Sequence, residues 1–302
     1  MKEKLKTIPV PLLAAMVGSC TLSNAYLGLG YTWIRHMIFI ATICVVIAYS
    51  CKLLIHFATC VDEYKKTPMC ALYAGFPMCL MLIGSYVFDL NPMIGKTLWL
   101  VAVFVDAIHI LVFTYRNVLR GVKTETFVPS WFVTYNGIMV STVIGGAMNE
   151  PLISKIVVYY GITVFTVIIP FMVWRLATKP ISDALYHTQP VVLAPCSLCI
   201  VSYLNVFKNP KAWVVYYLYI AVVIALLFII YKLPSFFRYS FTPGFTGMTF
   251  PMAIGCVATT KFMGYMQSQG FETAVSILKE VQGIQILTTG IIFYVLIQYL
   301  FF

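Results

Sequence analysis

The sequence predicts an all-α integral membrane protein of ten transmembrane helices, built as five tandem hairpins with five kinked inner helices around a central pore. Three observations predict it. Of 302 residues, 61% are hydrophobic and only 10% charged, where a soluble domain carries about a quarter charged residues. Apolar runs long enough to cross a roughly 30 Å hydrocarbon core recur from end to end. Glycine and proline concentrate in every second run.

The runs fall at 9–27, 33–54, 69–88, 98–115, 128–148, 152–174, 190–207, 212–231, 247–266 and 281–302. The connections are short, so one domain, 1–302, is expected. The opening "MKEKLK" and the later "VGSC" fit a lipoprotein signal with Cys20 as the lipidated residue. Two prolines interrupt the apolar stretch between them and nine more runs follow, so the segment is kept as the first span.

The net charge is +10, from 20 Lys and Arg against 10 Asp and Glu. Nucleic acid is not implied, because the charges sort by membrane side. Lys2, Lys4, Lys6, Lys65, Lys66, Arg116, Arg120, Lys123, Arg175, Lys179 and Arg238 lie at the N-terminus or after even-numbered spans. The other side holds Arg35, Lys96, Lys155, Lys208, Lys211 and Lys279, and Lys261 lies inside a span. The positive-inside rule then puts both termini in the cytoplasm, in a multi-pass protein of the plasma membrane.

All nine cysteines except Cys60 sit in spans or at their edges. An odd number buried in lipid argues against a disulfide framework. "CSLC" puts Cys196 and Cys199 on one helical face, but no second Cys/His pair completes a tetrahedral metal site. Small apolar packing residues are the simpler assignment.

The odd spans hold 16 glycines and prolines, the even spans 4. Each odd span has a proline in its first half: Pro11, Pro77, Pro129, Pro195 and Pro251. Their mean spacing is one helical hairpin with its loops, so the chain reads as five copies of a broken helix followed by a plain one. Polar side chains follow the same division: Thr134, Asn136, Ser141 and Thr142 in the fifth span, against none in "WVVYYLYIAVVIALLFIIY" of the eighth. A proline removes a helical hydrogen bond, costing about 3 kcal/mol or more. Lipid cannot satisfy the freed carbonyls, so such helices belong inside protein or around a wet cavity. The pattern fits an inner ring around a conduction path. It also fits small residues that merely permit close packing.

"TFPMAIGCVATTKF", 249–262 in the ninth span, resembles the matching helix of the tellurite-resistance/dicarboxylate transporter family, which includes the slow anion channels of plant guard cells. "IPVPLLAAMVGSCTLSNAY" at 8–26 resembles that family's first helix, and "LAPCSLCIVSYL" at 193–204 its seventh. The resemblance covers essentially the whole chain. It implies a pore of five kinked helices in each protomer, a homotrimer, no cofactor and no covalent chemistry. It also implies that the aromatic residue before the ninth-span proline, here Phe250, occludes the pore. Chloride, nitrate and dicarboxylates such as malate are the implied cargo. Tellurite resistance is a phenotype of some members. The regulated plant channels carry long cytoplasmic tails, and the short ends of this sequence make phosphorylation-driven gating unexpected.

Phe250 is thus either a packed ring or a plug, and the plug is preferred. Lys261 either snorkels to the headgroups or forms an anion vestibule. Asp106 and His109 share a helical face, as a proton relay would need, or form a buried pair at a helix contact. Glu150, Asp89, Asp62 and Glu63 read as solvated loop charges, and His36, His56 and His187 carry no assigned role. The leading expectation is anion conduction. The alternatives are a proton-coupled dicarboxylate carrier using Asp106 and, more remotely, an intramembrane metal or redox protein using Cys196, Cys199 and His109.

Overall fold

A computed structural model describes residues 2–27, 30–281 and 283–301. Residues 282 and 302 of the last predicted span lie outside the described residues. No strand occurs among the described residues. In order, the helices are α1 (Lys2–Lys6), α2 (Pro11–Leu27), α3 (Thr32–Ile55), α4 (Phe57–Lys65), α5 (Thr67–Leu72), α6 (Gly75–Phe88) and α7 (Pro92–Thr114). They continue with α8 (Trp131–Gly137), α9 (Val140–Ile144), α10 (Pro151–Thr178), α11 (Leu193–Val206), α12 (Ala212–Phe236), α13 (Thr249–Ser268), α14 (Glu272–Val281) and α15 (Ile284–Phe301).

Among the described residues, six helical stretches are long and apolar enough to cross a membrane: Thr32–Ile55, Thr67–Phe88, Pro92–Leu119, Pro151–Thr178, Asp183–Val206 and Ala212–Phe236. The first, fifth, ninth and tenth predicted runs fall outside that set, and the tenth holds a shorter apolar helix, Ile286–Tyr299. In the first, fifth and ninth, Gly, Ser and Thr dilute the apolar sequence.

The five segments rich in glycine or proline close into a ring. α2 packs on α6, α6 on α8 and α9, these on α11, α11 on α13, and α13 back on α2. The plain helices lie outside the seams: α3 on α2 and α6, α7 on α6 and α8, α10 on α8, α9 and α11, α12 on α11 and α13, and α15 on α13 and α2. Burial follows this division. The stretch Asp183–Val206 is 83% buried within the chain, whereas Pro151–Thr178 is 28% buried.

The structure moves the expected breaks relative to their prolines. Pro11 opens α2, and Pro77, Pro195 and Pro251 are each the third residue of α6, α11 and α13. Pro129 stands in the turn ahead of α8. The first four N–H groups of a helix lack intrahelical partners, so a proline there forfeits no bond. The irregularity lies just upstream, as 3-10 segments at Asp183–Val192 and Pro243–Met248 and as the junction between α5 and α6. The prolines therefore start the main inner helices instead of kinking their middles. The fifth run is broken more severely, into α8, α9 and a 3-10 turn at Gly145–Met148.

Two other bounds differ from expectation. α7 begins six residues ahead of the predicted fourth span, because the Asn91 side chain accepts the Ile94 N–H and Pro92 occupies the first turn. This N-cap and proline pair is a sequence signal for a helix start. α10 runs on to Thr178, past the expected end at 174.

Candidate anion pore and its gate

The five inner segments meet at Phe250. A closed cavity of about 30 Å³ is lined by Val17 of α2, Met78 of α6, Val133 of α8, Val191 ahead of α11, and Phe250 with Pro251 of α13. That volume is about the share of one water molecule in the liquid, and its walls expose only apolar surface. The ring of Phe250 is 6% exposed. Hydrophobic constrictions in channels gate by dewetting.

Close backbone approach holds the ring in place. A Cβ on Gly18 would stand 2.7 Å from the Phe250 nitrogen and 2.8 Å from the Thr249 carbonyl carbon. Only glycine lets α2 and the start of α13 come this near. The Thr249 hydroxyl donates to the Thr246 carbonyl at 2.8 Å and is 3.3 Å from that of Ala14. Proline at 251 fits this first turn because its missing N–H has no helical partner to lose.

Lys261 lies away from this constriction, exposed on the far part of α13. It shares a cavity of about 740 Å³ with Lys208 and Lys211, in the loop after α11, and with Asn205, Ser268 and Gln269. No carboxylate lines that cavity. Among the described residues none of the three lysines is in a salt bridge. Sequence reasoning singled out Lys261 and left Lys208 and Lys211 as ordinary loop charges; the fold brings the three together.

Asp106 and His109 share α7 but not a bond. Asp106 is fully buried and neither carboxylate oxygen has a partner. His109 turns instead to Tyr64, 2.8 Å from Nδ1, and to Thr134, 3.3 Å from Nε2. The Thr134 hydroxyl donates to the Ala71 carbonyl, so it accepts from His109. That assigns the proton to Nε2 and leaves Nδ1 to accept from the Tyr64 hydroxyl. His109 thereby links α4, α7 and α8.

The profile of the voltage-dependent anion channel family matches residues 8–300, nearly the whole chain. The chain belongs to that family. It is the family to which the residues at 8–26, 193–204 and 249–262 pointed. As a voltage-dependent anion channel family member, the chain is a multi-pass membrane protein and an anion channel or transporter. No curated protein matches the sequence.

In this family member the Cys196–Cys199 pair gathers no ligand set. Cys196 Sγ lies against the Val192 and Leu193 carbonyls and Cys199 against the Met139 sulfur. Among the described residues, no three His, Cys, Asp or Glu groups are placed to hold a metal ion.

Asp62 and Asp89 are solvent-exposed as expected, whereas Glu63 and Glu150 are partly buried, and all four are paired. Asp89 pairs with Arg35, Asp62 with Lys65, Glu150 with Lys96, and Glu63 with Lys52. The Lys65 hydrogen bond, and then its charge, hold the Asp62 carboxyl below its ordinary range. The Lys52–Glu63 pair is the buried contact that sequence reasoning missed. Lys52 is fully buried and donates to Glu63 Oε1 and to the Ile8 carbonyl, each at 2.7 Å. The Tyr73 hydroxyl donates to Glu63 Oε2 at 2.8 Å, and the Tyr49 ring faces the ammonium at 5.3 Å. A lysine two residues inside the end of the second apolar run was the available signal. His187 also has a place, stacked on Phe245 with its centroid 3.9 Å away and bonded through Nε2 to the Phe236 carbonyl.

Proposed function

We propose that this protein conducts small anions passively along the axis of the inner ring, with Phe250 as the gate. The cargo class is chloride, nitrate or C4-dicarboxylates such as malate. The observation that carries this is the 30 Å³ apolar cavity where all five inner segments converge on one phenyl ring. In this reading ten spans cross the plasma membrane as five hairpins, both termini are cytoplasmic, and protomers assemble as a homotrimer with a pore in each. The protein is not an enzyme and uses no cofactor.

Asp106 supports a second reading, a proton-coupled dicarboxylate carrier. A fully buried carboxyl without a hydrogen-bond partner is an expected place to hold a proton within a membrane. Reversal potentials in planar bilayers separate the two. A channel reverses at the anion's own Nernst potential whatever the pH gradient. A coupled carrier shifts its reversal potential when pH is changed on one side, and that result would replace the channel reading.

The lysine cavity is the outer vestibule in this reading. Its charges raise local anion concentration, an effect screened over about 8 Å at physiological ionic strength. Lys208→Gln/Lys211→Gln/Lys261→Gln is expected to reduce anion conductance several-fold at 10 mM salt and little at 1 M, roughly as the Debye length falls from 30 to 3 Å. Unchanged conductance at 10 mM salt would place these lysines outside the conduction path.

A further inference from the structure

On the outer surface, α10 and α12 both pack on α11 and leave a groove of about 430 Å³ between them. Its walls include Phe165, Ile169 and Val173 of α10 with Ile224 and Phe228 of α12, and Cys196 of α11 forms its floor. Almost all of its lining is apolar. Val173 and Ile224, at its lips, are 57% and 63% exposed, so the groove opens sideways to the bilayer. Along α10 it runs from Phe165 to Ala177, about 18 Å at 1.5 Å per residue. That is close to the hydrocarbon depth of one leaflet, half of about 30 Å.

The groove's end has a distinct chemistry. It reaches Leu176 and Ala177 at the end of α10 and Val192 at the start of α11, on the side of the basic loops. Lys179 follows Leu176 by three residues. Lys232 follows Phe228 by four, which puts it one turn further on the same face of α12. Neither is in a salt bridge among the described residues. The neighbouring Arg175 is committed elsewhere: its guanidinium donates to the carbonyls of Thr124, Lys179 and Pro180. Those bonds fix the strap that carries Lys179.

We propose that this groove is a binding site for an anionic phospholipid, with one acyl chain laid between α10 and α12 and the phosphate held by Lys179 and Lys232. Apolar walls of leaflet depth match the tail, and two lysines carried within four residues of the groove's end match the headgroup. The site is separate from the Phe250 constriction and does not depend on which anion is conducted.

Native mass spectrometry tests this on the full-length protein extracted from liposomes of equal phosphatidylglycerol and phosphatidylcholine. Wild type is expected to retain phosphatidylglycerol over phosphatidylcholine by roughly tenfold, given the attraction of each lysine for an anionic headgroup. Lys179→Gln/Lys232→Gln, which removes both ammonium groups and leaves the apolar walls intact, is expected to abolish the preference. Ala221→Trp, which fills the groove, is expected to lower retention of both lipids. Equal retention by wild type overturns the proposal, as does a preference that survives the double substitution. If Ala221→Trp disperses the oligomer while lipid retention stays unchanged, the groove is a contact between copies and the proposal also fails.

Discussion

Phe250→Ala is expected to raise anion conductance per molecule by roughly tenfold or more, because the proposed gate is a dewetted constriction and not a binding site. In the closed arrangement the cavity beside the ring has room for about one water molecule. Deleting the phenyl group adds its own volume to that space and joins the two sides of the axis. The walls contributed by Val17, Met78, Val133 and Val191 belong to a closed ring of helices, and such a ring relaxes only partly into the void. Water then fills it, and an anion keeps enough of its hydration to pass. Truncating a buried Phe also costs about 3–5 kcal/mol of stability, so current must be normalised to folded protein. Phe250→Leu keeps an apolar plug of smaller volume and is expected to lie between wild type and Phe250→Ala. Conductance unchanged across the series would make the ring a packing residue and place the gate elsewhere.

The second large effect is on stability. Glu63→Ala is expected to lower the thermal midpoint more than Lys52→Met. Removing Glu63 leaves the Lys52 ammonium fully buried, with the Ile8 carbonyl and the Tyr49 ring as its remaining partners among the described residues. Breaking a buried pair from that side costs about 3–5 kcal/mol. Lys52→Met removes the buried charge itself. The Glu63 side chain, 25% exposed, can then turn to water while keeping its bond from Tyr73. Midpoints measured in one detergent decide the order. The reverse order would mean that the packing of the lysine stem outweighs its charge.

The sequence made the inner–outer division legible because glycine, proline and hydroxyl residues alternate with plain apolar runs at hairpin spacing. The same spacing could not say where each break lies. A proline is read as an interruption, yet at Pro77, Pro195 and Pro251 it occupies a first turn, where its missing N–H matters least. Phe250 was singled out because it precedes Pro251 and matches the aromatic position of the resembled family's ninth helix. Gly18, which lets the ring approach, was not, since its partner lies more than two hundred residues away. Asp106 and His109 show a different limit. A three-residue spacing gives a shared face, but the direction of each side chain depends on Tyr64 and Thr134 from other helices. The Lys52–Glu63 pair was missed because one partner was read in a span and the other in a loop. The two meet only through the bend at His56 between α3 and α4.

The contact between α2 and α13 also sets an order of events during synthesis. Thr249 reaches the Ala14 carbonyl across 235 positions of sequence. At about 5–20 residues per second, the ribosome takes roughly 10–50 s to cover that distance. Throughout that interval the first inner helix has no final neighbour on one side, and its serines and threonines face lipid or an insertion partner. Nascent chains stopped before Thr249 would therefore carry an open seam, and the protein becomes a closed object only when its penultimate apolar run arrives.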